Sequence, residues 1–590
     1  MTLSRTSAAP IIAQSDGTLL LDERLPGFGE AQTLLRAIAE LKKRPGHLHT
    51  YRITPVTVWN AAASGWTAAR ALGSLRTLSR YGVPAALERD LAAQFARYGQ
   101  LRLGVQEGEL RLRAQEPALL AAVASLKTVS GWLTLSADGS HAVVRPDARG
   151  WLKRELALAG YPVIDDAGYR SGEPLPMTLR RGGAAPALRD YQQAAVDALL
   201  GKQDEAASVA EAASDTAATG AAAPAVAGGS GVVVLPCGAG KTWVGIGAVA
   251  RLACETLILT PNTVSVTQWI RELQRATTLG EQQIGVYTGE RKEVRPVTVA
   301  TYQVLTSRGG GGGNAHWRLF QDRNWGLIIY DEVHLLPAPV FRLTAELQAT
   351  RRLGLTATLV REDGREGDVF ALVGPKAYEA PWKSLEEAGW IAEAFCSEVR
   401  VPMGAACAER YADAAARARS RIAGENPRKA EVVRALLARH EGEQALVIGQ
   451  YLDQLRSVSR ELELPLVTGD MPHRERQELF DRFNRGDLRA LALSKVANFA
   501  VDLPEAAVAV QISGSFGSRQ EEAQRLGRIL RPKENGRAAS FYSLVSEHTD
   551  EVEYARRRQQ FLVQQGYRYE VRRWADGEDP PEMTDKEDAR

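Results

Sequence analysis

The chain has 590 residues, 45% of them hydrophobic, a length that predicts about three or four domains with sizeable cores. Its 73 Lys and Arg stand against 71 Asp and Glu, so no global field selects a partner and any nucleic-acid surface must be a local patch. There is no run of about eighteen uncharged apolar residues, and Cys237, Cys254, Cys396 and Cys407 form no C-x-x-C pair, which argues against a membrane span, disulfides, zinc and iron–sulfur centres.

In chain order, residues 1–20 carry no secretory pattern and read as a flexible, non-signal N-terminus in a cytoplasmic protein. Residues 50–100 read as mainly helical, with breaks at "SGW" and "YGVP". The alternating "LRLGVQEGELRLRA" then predicts a hairpin, so 21–116 reads as a helical, winged-helix-like accessory domain. "WLTLSADGSHAVVRP" predicts a second hairpin turning at Asp-Gly, followed by a helix in "ARGWLKRELALAG" and the extended "YPVID". Residues 117–180 therefore read as a small α+β domain.

Residues 201–231, "GKQDEAASVAEAASDTAATGAAAPAVAGGSG", lack aromatics and are interrupted by Gly220, Pro224 and Gly228–Gly229, and read as a flexible insertion, with "SRGGGGGN" at 307–314 a second flexible loop. Beyond them, "GVVVLP", "TLILTP", "VTVATY", "LIIYDE" and "RLGLTAT" are short apolar runs separated by helical stretches. "ALVIGQ", "LPLVTG", "ALALS", "VAVQIS" and "FYSLV" form a second such series. Two α/β lobes with doubly wound parallel sheets follow, at 181–390 and 391–575, with a cleft between them and an acidic disordered tail at 576–590.

Three motifs carry chemistry. In "LPCGAGKT", 235–242, Gly238 and Gly240 let backbone amides approach phosphates, Lys241 can reach the terminal phosphates and Thr242 offers a hydroxyl to Mg²⁺. Leu235 stands where the strict phosphate-loop pattern has Gly. "LIIYDEVH" ends an apolar strand on two acids: Asp331 suits Mg²⁺ held through water, and Glu332 suits orienting and deprotonating an attacking water. In "EEAQRLGRILRP", Arg525, Arg528 and Arg531 are spaced for one helical face, either solvated or aimed at an anion such as a transferring phosphoryl group. Upstream, "LRDYQ" supplies Gln192, whose amide can read an adenine edge.

The order "YQ", "GAGKT", "DEVH", "TAT", "QRLGRILR" is that of superfamily 2 helicases, and the segments "LGLTATLVREDG", "LSKVANFAVDLPEA" and "YSLVSEHTDEVEYARRRQQFLVQQGY" resemble XPB-type DNA helicases over about 186–574, with "LHTYRITPVTVWNAAASG" extending the likeness forward. The resemblance implies RecA-like lobes and an ATP- and Mg²⁺-dependent 3′–5′ helicase acting on double-stranded, forked or single-stranded DNA. It also implies a repair role, in which 117–180 is a damage-recognition-like domain and a nuclease or another repair protein is a partner. It implies that Arg189 and Gln192 bind the nucleotide with Pro236, Cys237, Gly238, Ala239, Gly240, Lys241, Thr242, Asp331 and Asp502, and that Gln524, Arg528 and Arg531 form the finger motif. Thr356 and Thr358 would couple hydrolysis to strand movement, while Thr260, Thr301 and Thr468 would touch the nucleic-acid backbone without reading sequence. Arg361, Glu362 and Asp363 either cap a following helix or meet exposed base edges where strands part, and the resemblance favours the second. Two rivals stand beside a helicase: a duplex translocase that leaves strands paired, and a nucleotide-gated DNA clamp that signals to a nuclease. The insertion at 201–231 and the Ala/Arg-rich 404–426, a shortened thumb-like element, depart from the family pattern.

Overall fold

The computed structural model describes residues 9–43, 47–180, 187–201, 229–236, 238–306, 317–320, 322–337, 350–357, 366–380, 382–494, 506–514, 538–564 and 569–574, with residues 340, 344, 526, 529 and 567 between them. They divide into two compact units, Met1–Leu235 with Gly240–Glu379, and Pro236–Ala239 with Ala380–Arg590. Of the stretch read as flexible at 201–231, residues 202–228 lie outside the described residues, as do 307–314 and the tail 576–590, while its last two residues, Ser230 and Gly231, open a buried β-strand instead. No described helix is long and apolar enough to cross a membrane.

The first unit opens with a four-stranded antiparallel sheet in the order β1-β2-β4-β3: Ile11–Ala13 (β1), Thr18–Asp22 (β2), Glu40–Lys43 (β3) and Leu48–Arg52 (β4). Helices Phe28–Ile38 (α1), Pro55–Ala63 (α2), Ala68–Leu78 (α3) and Ala85–Arg97 (α4) pack with it around Ile11, Leu19, Leu35, Leu75 and Leu91. β1 and β2 correct the flexible reading of 1–20: Leu19 and Leu21 alternate inward and, with Ile11, complete that core. α2 starts where its sequence dictates, since the Thr54 side chain accepts from Thr57 N and Pro55 occupies the first helical position.

The expected hairpin is Leu101–Gln106 (β5) and Glu109–Ala114 (β6), and both turn residues, Glu107 and Gly108, have positive φ as a two-residue loop demands. It is not a wing on the helices before it. β5 and β6 lie in a five-stranded sheet, β7-β8-β6-β5-β9, with Leu133–Leu135 (β7), Ala142–Val144 (β8) and Val163–Asp165 (β9). Leu101, Leu103, Leu110 and Leu112 enter one core with Val144, Leu152 and Leu156, so a border at 116/117 would cut through a sheet. Pro117–Ala124 (α5) and Arg149–Leu158 (α6) cover it. In α6, Arg149 and Lys153 meet Asp165 of β9 at 2.8 and 2.9 Å, an almost fully buried cluster.

The first lobe is a seven-stranded sheet of Ser230–Val234 (β10), Thr256–Thr260 (β11), Ile284–Tyr287 (β12), Val297–Thr301 (β13), Leu327–Asp331 (β14), Arg351–Thr356 (β15) and Lys376–Glu379 (β16). Every pairing is parallel and the order is β12-β13-β11-β14-β15-β10-β16. β11 and β13 are buried along their whole length, which is why their sequences are unbroken apolar runs rather than alternations. Asp190–Leu200 (α7), Lys241–Leu252 (α8), Thr263–Ala276 (α9) and Glu366–Leu372 (α10) belong to this lobe.

The second unit repeats the plan. Its strands are Ala394–Val401 (β17), Ala445–Gly449 (β18), Leu466–Val467 (β19), Ala490–Ser494 (β20), Val508–Gln511 (β21), Ala539–Ser546 (β22) and Tyr569–Arg573 (β23), all parallel in the order β19-β20-β18-β21-β22-β17-β23. The stretch 404–426 forms two short helices, Ala405–Asp413 (α11) and Ala416–Gly424 (α12). Lys429, fully buried, donates to Ile512 O at 2.9 Å and to Glu551 at 2.8 Å, so its charge is both paired and hydrogen-bonded.

Candidate active site

Parallel strands deliver their carboxyl ends to one side of a sheet, and in open α/β sheets that side holds the ligand. β14, β15 and β10 are neighbours there. β10 runs into the glycine-containing loop and α8, β14 ends at Asp331 and Glu332, and β15 ends at Thr356, whose carbonyl accepts from Leu235 N at 3.0 Å. Gly238 and Gly240 have φ of 83° and 77°, which favours glycine. Gly240 is needed for space as well, since a Cβ there would come within 2.5 Å of Gln192 Nε2. Lys241 is the first residue of α8, at a helix N-terminus suited to anions.

Lys241 Nζ lies 3.4 Å from Glu332 Oε1. Asp331 Oδ2 accepts from the Trp269 indole at 2.9 Å, and the Asp331 carbonyl accepts from Tyr302 OH at 2.8 Å. Burial, and then the charge of Glu332, pushes the Asp331 carboxyl up to about 6, against the pull of Trp269 and Lys241. Glu332 sits in the left-handed region at φ 50°, a strain of about 1–3 kcal/mol for a residue other than glycine. Its buried Oε2 accepts no hydrogen bond among the described residues. Two half-buried acids, one held against ionisation and one with a buried oxygen that accepts no hydrogen bond among the described residues, fit a divalent cation. A pair of carboxylates suits a hard cation such as Mg²⁺, which takes one or two protein ligands and completes its shell with water and phosphate oxygens.

The line continues inward. Glu332 Oε2 is 3.5 Å from His334 Nδ1, and that nitrogen is 2.6 Å from Thr356 Oγ1. His334, Trp269 and Tyr302 were not singled out in the sequence. For His334 the signal was present as the last letter of "DEVH". Trp269 has no local signal: it reaches Asp331 across the helix–sheet interface because α8 carries Gly245, where a Cβ would come 2.5 Å from the indole ring.

Gln192 is buried at the start of α7, and its Oε1 accepts from Arg189 N at 3.0 Å, while Arg189 Nη1 donates to Tyr191 OH at 3.1 Å. Thr242 is half-buried in the first turn of α8, and Ala239 N donates to Pro236 O at 3.2 Å. Thr260 and Thr301 are buried at the ends of β11 and β13. Thr260 donates to Asn262 O and Ala300 O, and Thr301 Oγ1 accepts from Val304 N, so both hydroxyls are engaged within the lobe. Thr468 is half-buried in the second unit, where its hydrogen bond holds the Asp470 carboxyl below its ordinary range. Cys237, Thr358, Arg361, Glu362, Asp363, Asp502, Gln524, Arg525, Arg528 and Arg531 lie outside the described residues.

Two tandem parallel α/β lobes, the first with a lysine at a helix start facing a half-buried Asp–Glu pair, define the class: the RecA-like core of superfamily 2 helicases. Family models agree along the chain. One described as ERCC3/RAD25/XPB C-terminal helicase matches residues 385–588, one described as type III restriction enzyme, res subunit, matches 185–361, and one described as helicase conserved C-terminal domain matches 11–136. The DNA 3′-5′ helicase XPB of Mycobacterium tuberculosis is 50% identical over 95% of this chain and 97% of its own length. Its namesake in Kineococcus radiotolerans is 49% identical over 95% and 96%. The general transcription and DNA repair factor IIH helicase/translocase subunit XPB/SSL2 of Saccharomyces cerevisiae is 30% identical over 95% of this chain and 71% of its own. The chain belongs to the XPB family of DNA 3′-5′ helicases, and as a helicase it is an ATP-dependent enzyme.

Trp269→Phe removes the hydrogen bond to Asp331 and also withdraws the far edge of the indole from Gly245, so Tm is read beside activity. Bonds to charged groups are worth about 1.5–3 kcal/mol, so kcat for ATP hydrolysis is expected to fall roughly tenfold or more. The pH at which activity falls on the acid side should rise, because a group that favours the ionised carboxyl is gone. A kcat profile from pH 5 to 8 checks both effects.

Proposed function

We propose that the chain is an ATP-driven motor that moves 3′ to 5′ on DNA and separates its strands, in the cytoplasm and in the service of repair. The observation that carries this reading is the row of side chains from Lys241 past Glu332 and His334 to Thr356, hydrogen-bonded at its far end, which leads from a phosphate-binding position to the motif that follows β15. Bound Mg²⁺·ATP supplies the phosphoanhydride bond to be broken and the cation that neutralises its oxygens. Lys241 and the backbone of Pro236–Gly240 hold the terminal phosphates, and Arg189 and Gln192 the adenine. Thr242 would hold Mg²⁺ directly and Asp331 would hold it through water. Glu332 orients the attacking water and takes its proton. Arg528 and Arg531, with Gln524, stabilise charge on the transferring phosphoryl group, and Asp502 senses the nucleotide. Loss of the terminal phosphate changes what Lys241 and Glu332 share, and His334 passes the change to Thr356 and Thr358.

The lobes at 181–390 and 391–575 are the motor, and the two front domains, with cores within residues 11–95 and 101–156, hold duplex or distorted DNA. Thr260, Thr301 and Thr468 mark backbone-gripping loops; with the first two hydroxyls turned inward, the grip there falls to the peptide groups that follow. Arg361, Glu362 and Asp363 meet base edges at the strand junction. A second reading is favoured by one comparison, the description of the yeast relative as helicase/translocase: a motor that tracks duplex DNA without opening it.

A strand-displacement assay on 3′-tailed, 5′-tailed and blunt duplexes decides between them. ATP-dependent release from the 3′-tailed duplex alone is expected. DNA-stimulated hydrolysis with displacement of a third strand but no release supports the translocase. Hydrolysis with neither supports a gated clamp, and pull-down of a nuclease partner would then be the next measurement.

A further inference from the structure

The chain that follows the Arg361–Glu362–Asp363 triplet is held from two sides. α10 begins three residues after Asp363, and β16 lies at the sheet edge beside β10, the strand that leads into the phosphate loop. From α6, Arg154 Nε donates to Asp368 Oδ1 at 2.8 Å, and Asp368 is only 4% exposed. From α2, the Trp59 ring stands 5.9 Å from that of Phe370, and Asn60 Oδ1 accepts from Lys376 N at 2.9 Å. Ser64 Oγ donates to Lys376 O as well. An edge-strand amide thus finds its acceptor on a helix of the first front domain.

These contacts are not what builds the parts they join. Both front domains close cores of their own, and β16 is also held by its pairing with β10. What they add is a grip by both front domains on one stretch of chain. That stretch runs back to the triplet and Thr356 in one direction, and lies against β10 in the other. α10 is also short, so a shift at either grip moves it as a unit rather than bending it.

We propose that α10 and β16 transmit DNA occupancy of the front domains to the ATPase site, with Arg154, Asp368, Trp59 and Asn60 as positioning residues. DNA that draws the two front domains into one arrangement fixes α10. α10 in turn sets the register of β16 against β10, the strand that leads into the phosphate loop, and hydrolysis quickens. The inference rests on the DNA-motor reading above.

Arg154→Glu, Asp368→Arg and the double reversal, all in the full chain, test it. Four quantities are read: the ATPase rate without DNA, the maximal rate with DNA, the DNA concentration at half-maximal stimulation, and Tm. Each single variant is expected to keep the DNA-free rate and the half-saturating DNA concentration while losing roughly fivefold or more of the stimulation, the low end of ordinary coupling between sites. The double reversal, which restores an opposite-charge pair, is expected to regain most of it. Arg154→Gln, which breaks the pair without setting two like charges together, carries the test if a reversal lowers Tm. Wild-type stimulation in the single variants overturns the proposal. So does a loss that follows DNA affinity or the DNA-free rate, or a double reversal that recovers nothing. A wild-type enzyme that DNA does not stimulate at all would instead refute the DNA-motor reading.

Discussion

Glu332→Gln is expected to slow DNA-stimulated ATP turnover by roughly 10²–10⁴-fold while leaving Mg²⁺·ATP bound. The amide keeps the volume and the left-handed backbone of Glu332 but cannot take a proton from water. Binding should survive for a specific reason: the charge of Glu332 is the second largest influence raising the Asp331 carboxyl, behind burial. Its removal lets Asp331 ionise at lower pH and hold the cation more readily. Single-turnover hydrolysis together with binding of a fluorescent ATP analogue separates the two effects. Turnover within a few-fold of wild type would remove Glu332 from the role of base.

Lys241→Ala acts on both sides of the same pair. The terminal phosphates lose their cation, and removal of a preorganised charge of this kind costs roughly 10²–10³-fold in rate. Lys241 also favours the ionised form of Asp331, so in the nucleotide-free protein its removal drives that carboxyl further up. The sign follows for stability. An acid whose folded pKa lies above its unfolded value weakens the fold as pH rises between the two, and Lys241→Ala widens that window upward. The variant is expected to show almost no DNA-stimulated ATPase, and a nucleotide-free Tm whose deficit against wild type grows from pH 5 to pH 7. Substantial hydrolysis would mean that the phosphate loop is misassigned.

Much of the motor was legible because its strands are buried on both faces. β10, β11, β13, β14, β18 and β20 are apolar runs that no surface helix would carry. The strands that escaped reading have identifiable causes. "KAYE" in β16 is an edge strand with one covered side, and "IGVY" in β12 is four residues long at the opposite edge. "AFCSEVRV" in β17 holds Glu398 and Arg400, which pair with one another, and Glu398 also accepts from Tyr569 OH at 3.1 Å. A charge pair inside a buried strand hides it from any apolar pattern.

The same division holds at the site. Lys241, Asp331 and Glu332 are local motif residues and could be read directly. Trp269 reaches Asp331, and Thr356 reaches His334, only because sheet order sets β14 beside β15 and packs α9 near them, a relation that spans tens of residues in sequence. For Thr260 and Thr301 the positions at strand ends were legible, but not that their hydroxyls turn inward. The hairpin at 101–114 was recognised by its turn, yet its sheet partners arrive up to fifty residues later.

The acceptor that Asn60 offers to the amide of Lys376 also bears on solubility. A parallel sheet with a bare flank is a template on which a second molecule can add a strand. Here that flank is partly sheathed by α2, with Asn60 taking the place of an acceptor that a neighbouring chain would otherwise supply. The front of the chain is therefore a chaperone for the motor in the literal sense of keeping it from its own kind. A motor trimmed of its first hundred residues would carry an uncapped flank and an uncovered Phe370 into solution, and gene fusions or dissections of this protein gain from cutting elsewhere.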